Sequence, residues 1–273
     1  MLLKVPDYHL HAEFSRDSDA SLEGYCRRAV KLGIPELALT EHFTLNPADI
    51  NYGLTDFTLI FQEVDRCREL FAGRLEIKVG LEVDYDPRQE AELANYLAGW
   101  NFDFLMGAIH YVQGTSLLSL RIGGAEEEAV QKLIGDYLQT TNQMIDSGLF
   151  QVIGHLEWFH RSVPPGSYSR GFYEYQLMPL LEKMVKKDLA LEVNTSALRK
   201  GINDTFPSLE TLQLFRRLGG RRVTVGSDAH HEEDLGRDLE KAIERVFQAG
   251  FRTLTLFTAG EAQDYDLNMV GMK

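Results

Sequence analysis

The stretch RVTVGSDAH, residues 222–230, is a short apolar run rich in Val and Thr that stops on an aspartate and a histidine. Such a run, bounded by glycine, reads as a buried strand. Asp228 and His230 therefore stand at or just past the strand's C-terminal end. The same order recurs along the chain. KVPDYHLH (residues 4–11) ends on His9 and His11, and ELALTEH (36–42) ends on His42. IKVGLEVDY (77–85) carries Glu82, FLMGAIHY (104–111) carries His110, and VIGHLEW (152–158) carries His155. LALEVNTS (189–196) is a seventh run of this kind, and TLTLFTAG (253–260) reads as a possible extra strand.

Longer amphipathic stretches separate these runs. SLEGYCRRAVKLG (21–33) opens on Ser21 as a helix cap and closes on Gly33, and the stretch from PADI to FQEVDRCRELFAG (47–73) closes on Gly73. Others are DPRQEAELANYLAGW, EEEAVQKLIGDYLQTTNQMIDSG, YEYQLMPLLEKMVKKD, SLETLQLFRRLGG and DLEKAIERVFQAG. Strand and helix alternating over the whole chain predict a parallel sheet, and seven or eight units predict its closure into a barrel. No low-complexity linker divides residues 1–273, so a single domain is expected. The C-terminal rim of such a barrel is where loops converge on an active site. Six of the eight histidines fall at these strand ends, with His160 and His231 left over. Residues far apart in sequence are thus expected to meet in one metal site.

The chain's 273 residues carry a net charge of −13 and no Lys/Arg-rich block, which disfavours duplex nucleic acid or anionic membrane as a partner. Only Cys26 and Cys67 are present, without metal-type spacing, so neither a disulfide framework nor a thiolate metal site is indicated. The N-terminus does not read as a signal peptide and no run is long enough to span a bilayer, so a cytoplasmic protein is expected. Imidazole and carboxylate ligands suit Zn, Fe or Mn. Six histidines with several carboxylates exceed one tetrahedral centre. More than one ion is expected, with a carboxylate such as Glu82 bridging two of them, as in hydrolytic sites where paired ions hold a hydroxide.

The motifs DYHLHAEFSRDSDAS, ALTEHF, VGLEVDYDP, FLMGAIHYV, VIGHLEWF, LEVNTSALRKG and TVGSDAHHEEDLG, in this order, resemble the PHP superfamily of polymerases and histidinol phosphatases, most of all its histidinol-phosphate phosphatases. The resemblance runs from about residue 5 to about residue 245. It implies a distorted (β/α)7 TIM-like barrel of PHP type with three divalent transition-metal ions at its rim. Carried over, it places His9, His11, Glu82 and Asp228 on a first ion, Glu82, His110 and His155 on a second, and Asp17, His42 and His230 on a third. Asp19, two residues beyond Asp17, is the alternative ligand. Glu82, Asp228 and His230 are also the residues the resemblance implies for the reaction itself. Arg199 and Arg161 are expected to hold a substrate phosphate, because a guanidinium pairs with phosphate oxygens in a fork.

Glu157 and Asp84, each two residues past a proposed ligand, are either supports for that ligand or solvated rim carboxylates. His231 is expected at the surface. The implied activity is hydrolysis of L-histidinol phosphate to L-histidinol and phosphate by a metal-bridging hydroxide. The departures bear on substrate: the loop after His110 reads VQGTSLLSLRIGGAEEE, with Arg121 where a cationic amino alcohol would want a carboxylate, and the first loop reads HAEFSRDS. A phosphoesterase for another small phosphate or a nucleotide end is the alternative enzyme. A metal-binding module without activity is the alternative outside enzymes.

Overall fold

The computed structural model describes residues 4–120, 127–164 and 166–267. In chain order its strands are β1 (Asp7–Leu10), β2 (Glu36–Phe43), β3 (Glu76–Asp84) and β4 (Phe104–Ala108), then the small antiparallel pair β5 (Tyr111–Val112) and β6 (Thr115–Ser116). After them come β7 (Val152–Ile153), β8 (Ala190–Asn194), β9 (Val223–Gly226), β10 (Thr253–Thr258) and β11 (Glu261–Asp266). Seven of these form one sheet in the order β1-β2-β3-β4-β7-β8-β9, and each pair in it is parallel. All seven apolar runs contribute one strand each. The chain just past β9 returns to β1: the Asp228 amide donates to the His9 carbonyl at 2.8 Å, and the His11 amide to the Ala229 carbonyl at 2.9 Å. That contact closes the ring. It needs a residue without a side chain at Gly226, where a Cβ would collide with His9 and with the Glu192 carboxylate.

Helices α1 (Leu22–Leu32), α2 (Phe57–Leu70), α3 (Glu90–Leu97), α4 (Glu127–Ser147), α5 (Arg170–Lys186), α6 (Ser196–Arg199), α7 (Leu209–Arg217) and α8 (Leu239–Gln248) connect the strands. Helix α1 shows why the amphipathic stretches fold as they do. Ser21 Oγ accepts the Gly24 amide at 3.0 Å, Gly33 closes the helix at φ 76°, and Leu22, Tyr25, Cys26 and Ala29 make its buried stripe. Helix α2 begins ten residues later than residue 47, where its stretch was expected to open. Asn46 and Asp49 instead accept the amides of Ala48 (3.0 Å) and Asn51 (2.8 Å), turning the chain before Asp56 caps the helix. This irregular segment overhangs the C-terminal rim.

The possible extra strand, β10, lies outside the ring. It pairs antiparallel with β11, and Phe257 packs with Tyr8, Ala38, Phe104, Met106, Val152 and Ala190 at the N-terminal end of the barrel. Tyr8 bonds the Glu36 carboxylate and accepts the Phe257 amide at 3.1 Å. Asp103 accepts the amides of Val79 (2.9 Å) and Ala259 (3.0 Å) and so ties the hairpin to β3. One end of the barrel is thereby plugged and the other left to the loops.

Candidate metal centre

Side chains two residues apart on a strand share a face, and His9 and His11 accordingly turn the same way, their Nε2 atoms 3.1 Å apart. His9 Nε2 lies 3.6 Å from Glu82 Oε2 and 3.8 Å from Asp228 Oδ1; His11 Nε2 lies 3.5 Å and 3.4 Å from the same two atoms. The other oxygen of Glu82, Oε1, faces His155 Nε2 at 2.5 Å and His110 Nε2 at 3.7 Å. His42 and His230 each place Nε2 3.5 Å from Asp17 Oδ2, and His42 Nδ1 is 2.7 Å from Glu82 Oε2. The structure therefore brings together His9, His11, Asp17, His42, Glu82, His110, His155, Asp228 and His230. Asp19 points elsewhere, to the exposed His231 at 2.7 Å.

The donor set fits transition-metal ions. Three groups, His9/His11/Asp228, His9/Glu82/His155 and His11/His42/His230, each have donor atoms within 4.8 Å of one another. Glu82 Oε2 is buried and makes no hydrogen bond, although His9, His11 and His42 all direct a nitrogen at it. Lone pairs converging on one small volume form a cation cage. Electrostatics divide the cluster. Burial penalises a charge on Glu82, yet His42, His9 and His110 together hold its carboxyl well below the usual range. Burial, aided by His42 and His230, keeps His11 well below the ordinary imidazole value, and burial takes His110 down to about 3. Despite burial, Glu192, Asp228 and Glu82 hold His9, and Glu82 and Asp17 hold His42, well above the ordinary value, and Glu82 raises His155; neutral imidazole is the form that ligates, so an ion entering there displaces those protons.

Two residues behind this cluster carry no signal noted in the sequence. Glu192 is wholly buried, with Oε1 2.6 Å from His9 Nδ1 and Oε2 accepting the His155 amide at 2.6 Å. It holds a proton on the outer nitrogen of His9 and leaves Nε2 as a lone pair. Asn194 donates to Glu192 Oε1 at 3.1 Å. The findable signal was a carboxylate inside the wholly buried run ALEVN, since such a group needs a partner. Asp84, pushed up to about 7 by burial, accepts the His110 amide at 3.0 Å and so supports a rim histidine. Glu157 does not. Its φ of 79° turns it to the start of α7, where it accepts the Ser208 amide (2.6 Å) and the Thr211 hydroxyl (2.5 Å). His160 sits between the Val163 carbonyl and Tyr168.

Arg161 and Arg199 both line a cavity of about 530 Å³ that includes the metal-type cluster. They differ in what they already hold. Arg199 Nη2 donates to the carbonyls of Ser227 (2.6 Å) and Asp228 (2.9 Å), and Nε faces Asp234 at 3.6 Å. These bonds pin Asp228, whose φ of 54° is costly for a residue with a side chain. Arg161 instead lies over the Trp158 ring at 4.8 Å, and no carboxylate pairs with it among the described residues. Arg121 lies outside the described residues.

Ring, rim and donor set define a class, and the comparisons agree with it: the chain belongs to the PHP domain family, whose model matches residues 7–196. Among its relatives is the histidinol-phosphatase of Lactococcus lactis subsp. lactis, 29% identical over 266 residues that cover 94% of this chain and 95% of the relative. The histidinol-phosphatase of Bacillus subtilis is 24% identical, covering 88% and 98%. Of solved structures, the Lactococcus lactis histidinol phosphate phosphatase complexed with Zn, L-histidinol and phosphate superposes with a TM-score of 0.83 at 24% identity, covering 95% of this chain and 99% of that one. A histidinol phosphatase structure from Listeria monocytogenes, itself described as putative, gives 0.73 at 22% identity, covering 86% and 99%.

Proposed function

We propose that this chain is a metal-dependent phosphomonoesterase that hydrolyses L-histidinol phosphate to L-histidinol and inorganic phosphate, a step of histidine biosynthesis. The observation that carries the reading is Glu82: its two oxygens face two different histidine groups inside one cavity. The relatives' names and the ligands of the Lactococcus structure supply the substrate. Three ions are assigned: His9, His11, Glu82 and Asp228 hold the first, Glu82, His110 and His155 the second, and Asp17, His42 and His230 the third. Zinc, iron or manganese suits these donors. Divalent ions bound there would supply an activated water and neutralise the phosphate oxygens.

The chain's own residues do the rest. Arg161 offers its guanidinium to the phosphate, and its seat on Trp158 pre-orients it. Arg199 adds positive charge beside the phosphate while holding the Ser227–Asp228 turn in place. Glu192 keeps the His9 proton on Nδ1. Glu82, Asp228 and His230 stand nearest the reacting group. No helix among the described residues is long and apolar enough to cross a membrane.

The test is an assay of metal-analysed protein against a panel of phosphomonoesters that includes L-histidinol phosphate. Phosphate release should be fastest from that substrate, vanish on chelation and return with added Zn²⁺ or Mn²⁺, with about three equivalents bound at saturation. A panel on which it is not preferred overturns the substrate. Saturation at one equivalent overturns the three-ion site.

A further inference from the structure

L-histidinol phosphate carries its primary ammonium on the carbon next to the phosphoester carbon, with the imidazole at the far end, so its pocket must hold two opposite charges close together. Six carboxylates line the cavity: Asp17, Asp49, Glu82, Asp84, Asp228 and Asp234. Five are committed. Asp17, Glu82 and Asp228 face the clustered histidines. Asp84 is held by the amide and ring of His110, and Asp234 pairs with Arg199 and Arg237. Asp49 is the exception. Among the described residues it has no ion-pair partner; its Oδ1 accepts the Asn51 amide at 2.8 Å, and its side chain meets that of Tyr111.

Topology places Asp49 on the side of the metal-type cluster away from the arginines, where the carbon chain and its ammonium project once the phosphate faces the arginine side. The ring runs β1-β2-β3-β4-β7-β8-β9 and closes on β1. In a ring of seven, the two strands farthest from β2 are β7 and β8. Asp49 is on the loop after β2, Arg161 on the loop after β7, and Arg199 on the turn after β8. The cavity is thus cationic on one side, anionic at Asp49 on the other, and metal-type between.

We propose that Asp49 receives the substrate's ammonium group and sets the enzyme's preference for an amine-bearing phosphomonoester, a reading that rests on the function proposed above. A carboxylate expected from the loop after His110 is supplied by a different loop. The half-exposed position keeps the bond wet, so the discrimination it provides is about tenfold rather than a thousandfold.

The experiment compares kcat/KM for L-histidinol phosphate with that for imidazolylpropyl phosphate, the same molecule without its amine, in wild type and Asp49→Asn. Asparagine preserves the Oδ1 acceptor for the Asn51 amide, and Asp49→Ser gives a second neutral side chain at the same site. The wild-type ratio should favour the amine, and both variants should shrink that ratio about tenfold, chiefly through KM. An unchanged ratio, or equal loss on both substrates, overturns the role of Asp49. A wild type that turns over neither imidazole substrate overturns the function itself, which separates the two failures.

Discussion

The two ends of the barrel are built from the same seven strands and solve opposite problems. At the N-terminal end the β10–β11 hairpin drives Phe257 against Tyr8 and Phe104, with ring centroids of Phe104 and Phe257 5.5 Å apart, and the polar groups around it are matched, Tyr8 with Glu36 and Asp103 with two amides. At the C-terminal rim, nitrogens and oxygens crowd within 4 Å of each other and buried atoms such as Glu82 Oε2, His11 Nδ1 and His155 Nδ1 lack a hydrogen bond. Satisfied polar groups and packed rings stabilise a fold. Unsatisfied, like-lone-pair groups destabilise it until a cation enters. Stability is concentrated below and function above.

The sharpest way to break that division is at the bridge. Glu82→Gln removes a charge that two ligand groups share, so kcat should fall on the order of a thousandfold, several kcal/mol of lost stabilisation. Bound metal should fall with it, while His42→Ala, which removes one terminal donor, loses less of both. Steady-state kinetics beside elemental analysis decide this, and a more damaged His42 variant would remove Glu82 from the bridging position.

A substitution at the opposite end should do the reverse. Phe257→Ala empties the plug and should cost about 3–4 kcal/mol of stability while leaving kcat per folded molecule near wild type. Denaturant melts with an activity assay on the folded fraction measure both, and a stable but inactive variant would contradict the separation of the two ends.

Glu192→Gln tests the boundary between them. The amide keeps the shape but must turn an NH2 toward either His9 Nδ1 or the His155 amide, both donors in the present arrangement. Metal affinity should fall about 10- to 100-fold, read by competition with a chelator, with a smaller change in melting temperature. If affinity is unchanged, Glu192 is only part of the core.

Legibility followed chemistry. The seven strands and eight of the clustered residues stand out in the sequence because a histidine or carboxylate ending an apolar run is costly unless used; Asp17, in the loop after β1, was legible only through the family resemblance. Glu192 did not, because it sits within such a run rather than at its end. Asp49 was hidden in a stretch of helical appearance, where Asx turns outcompeted the helix. Strand β11 is mostly exposed and polar and carries no alternating pattern to betray it, although its partner β10 was visible. Glu157 has the spacing of a rim residue, and only its left-handed backbone turns it away.

Ring closure has a consequence for synthesis. His9 and His11 are made more than 200 residues before Gly226 and Asp228, and until those arrive β1 has only β2 beside it. A nascent chain therefore carries an unpaired strand edge flanked by histidines until β9 has been made. On the proposed assignment the first ion would join His9 to Asp228, making metal loading a late event that fastens β1 to the turn after β9, and a chain stopped short of β9 leaves an open sheet rather than a smaller enzyme.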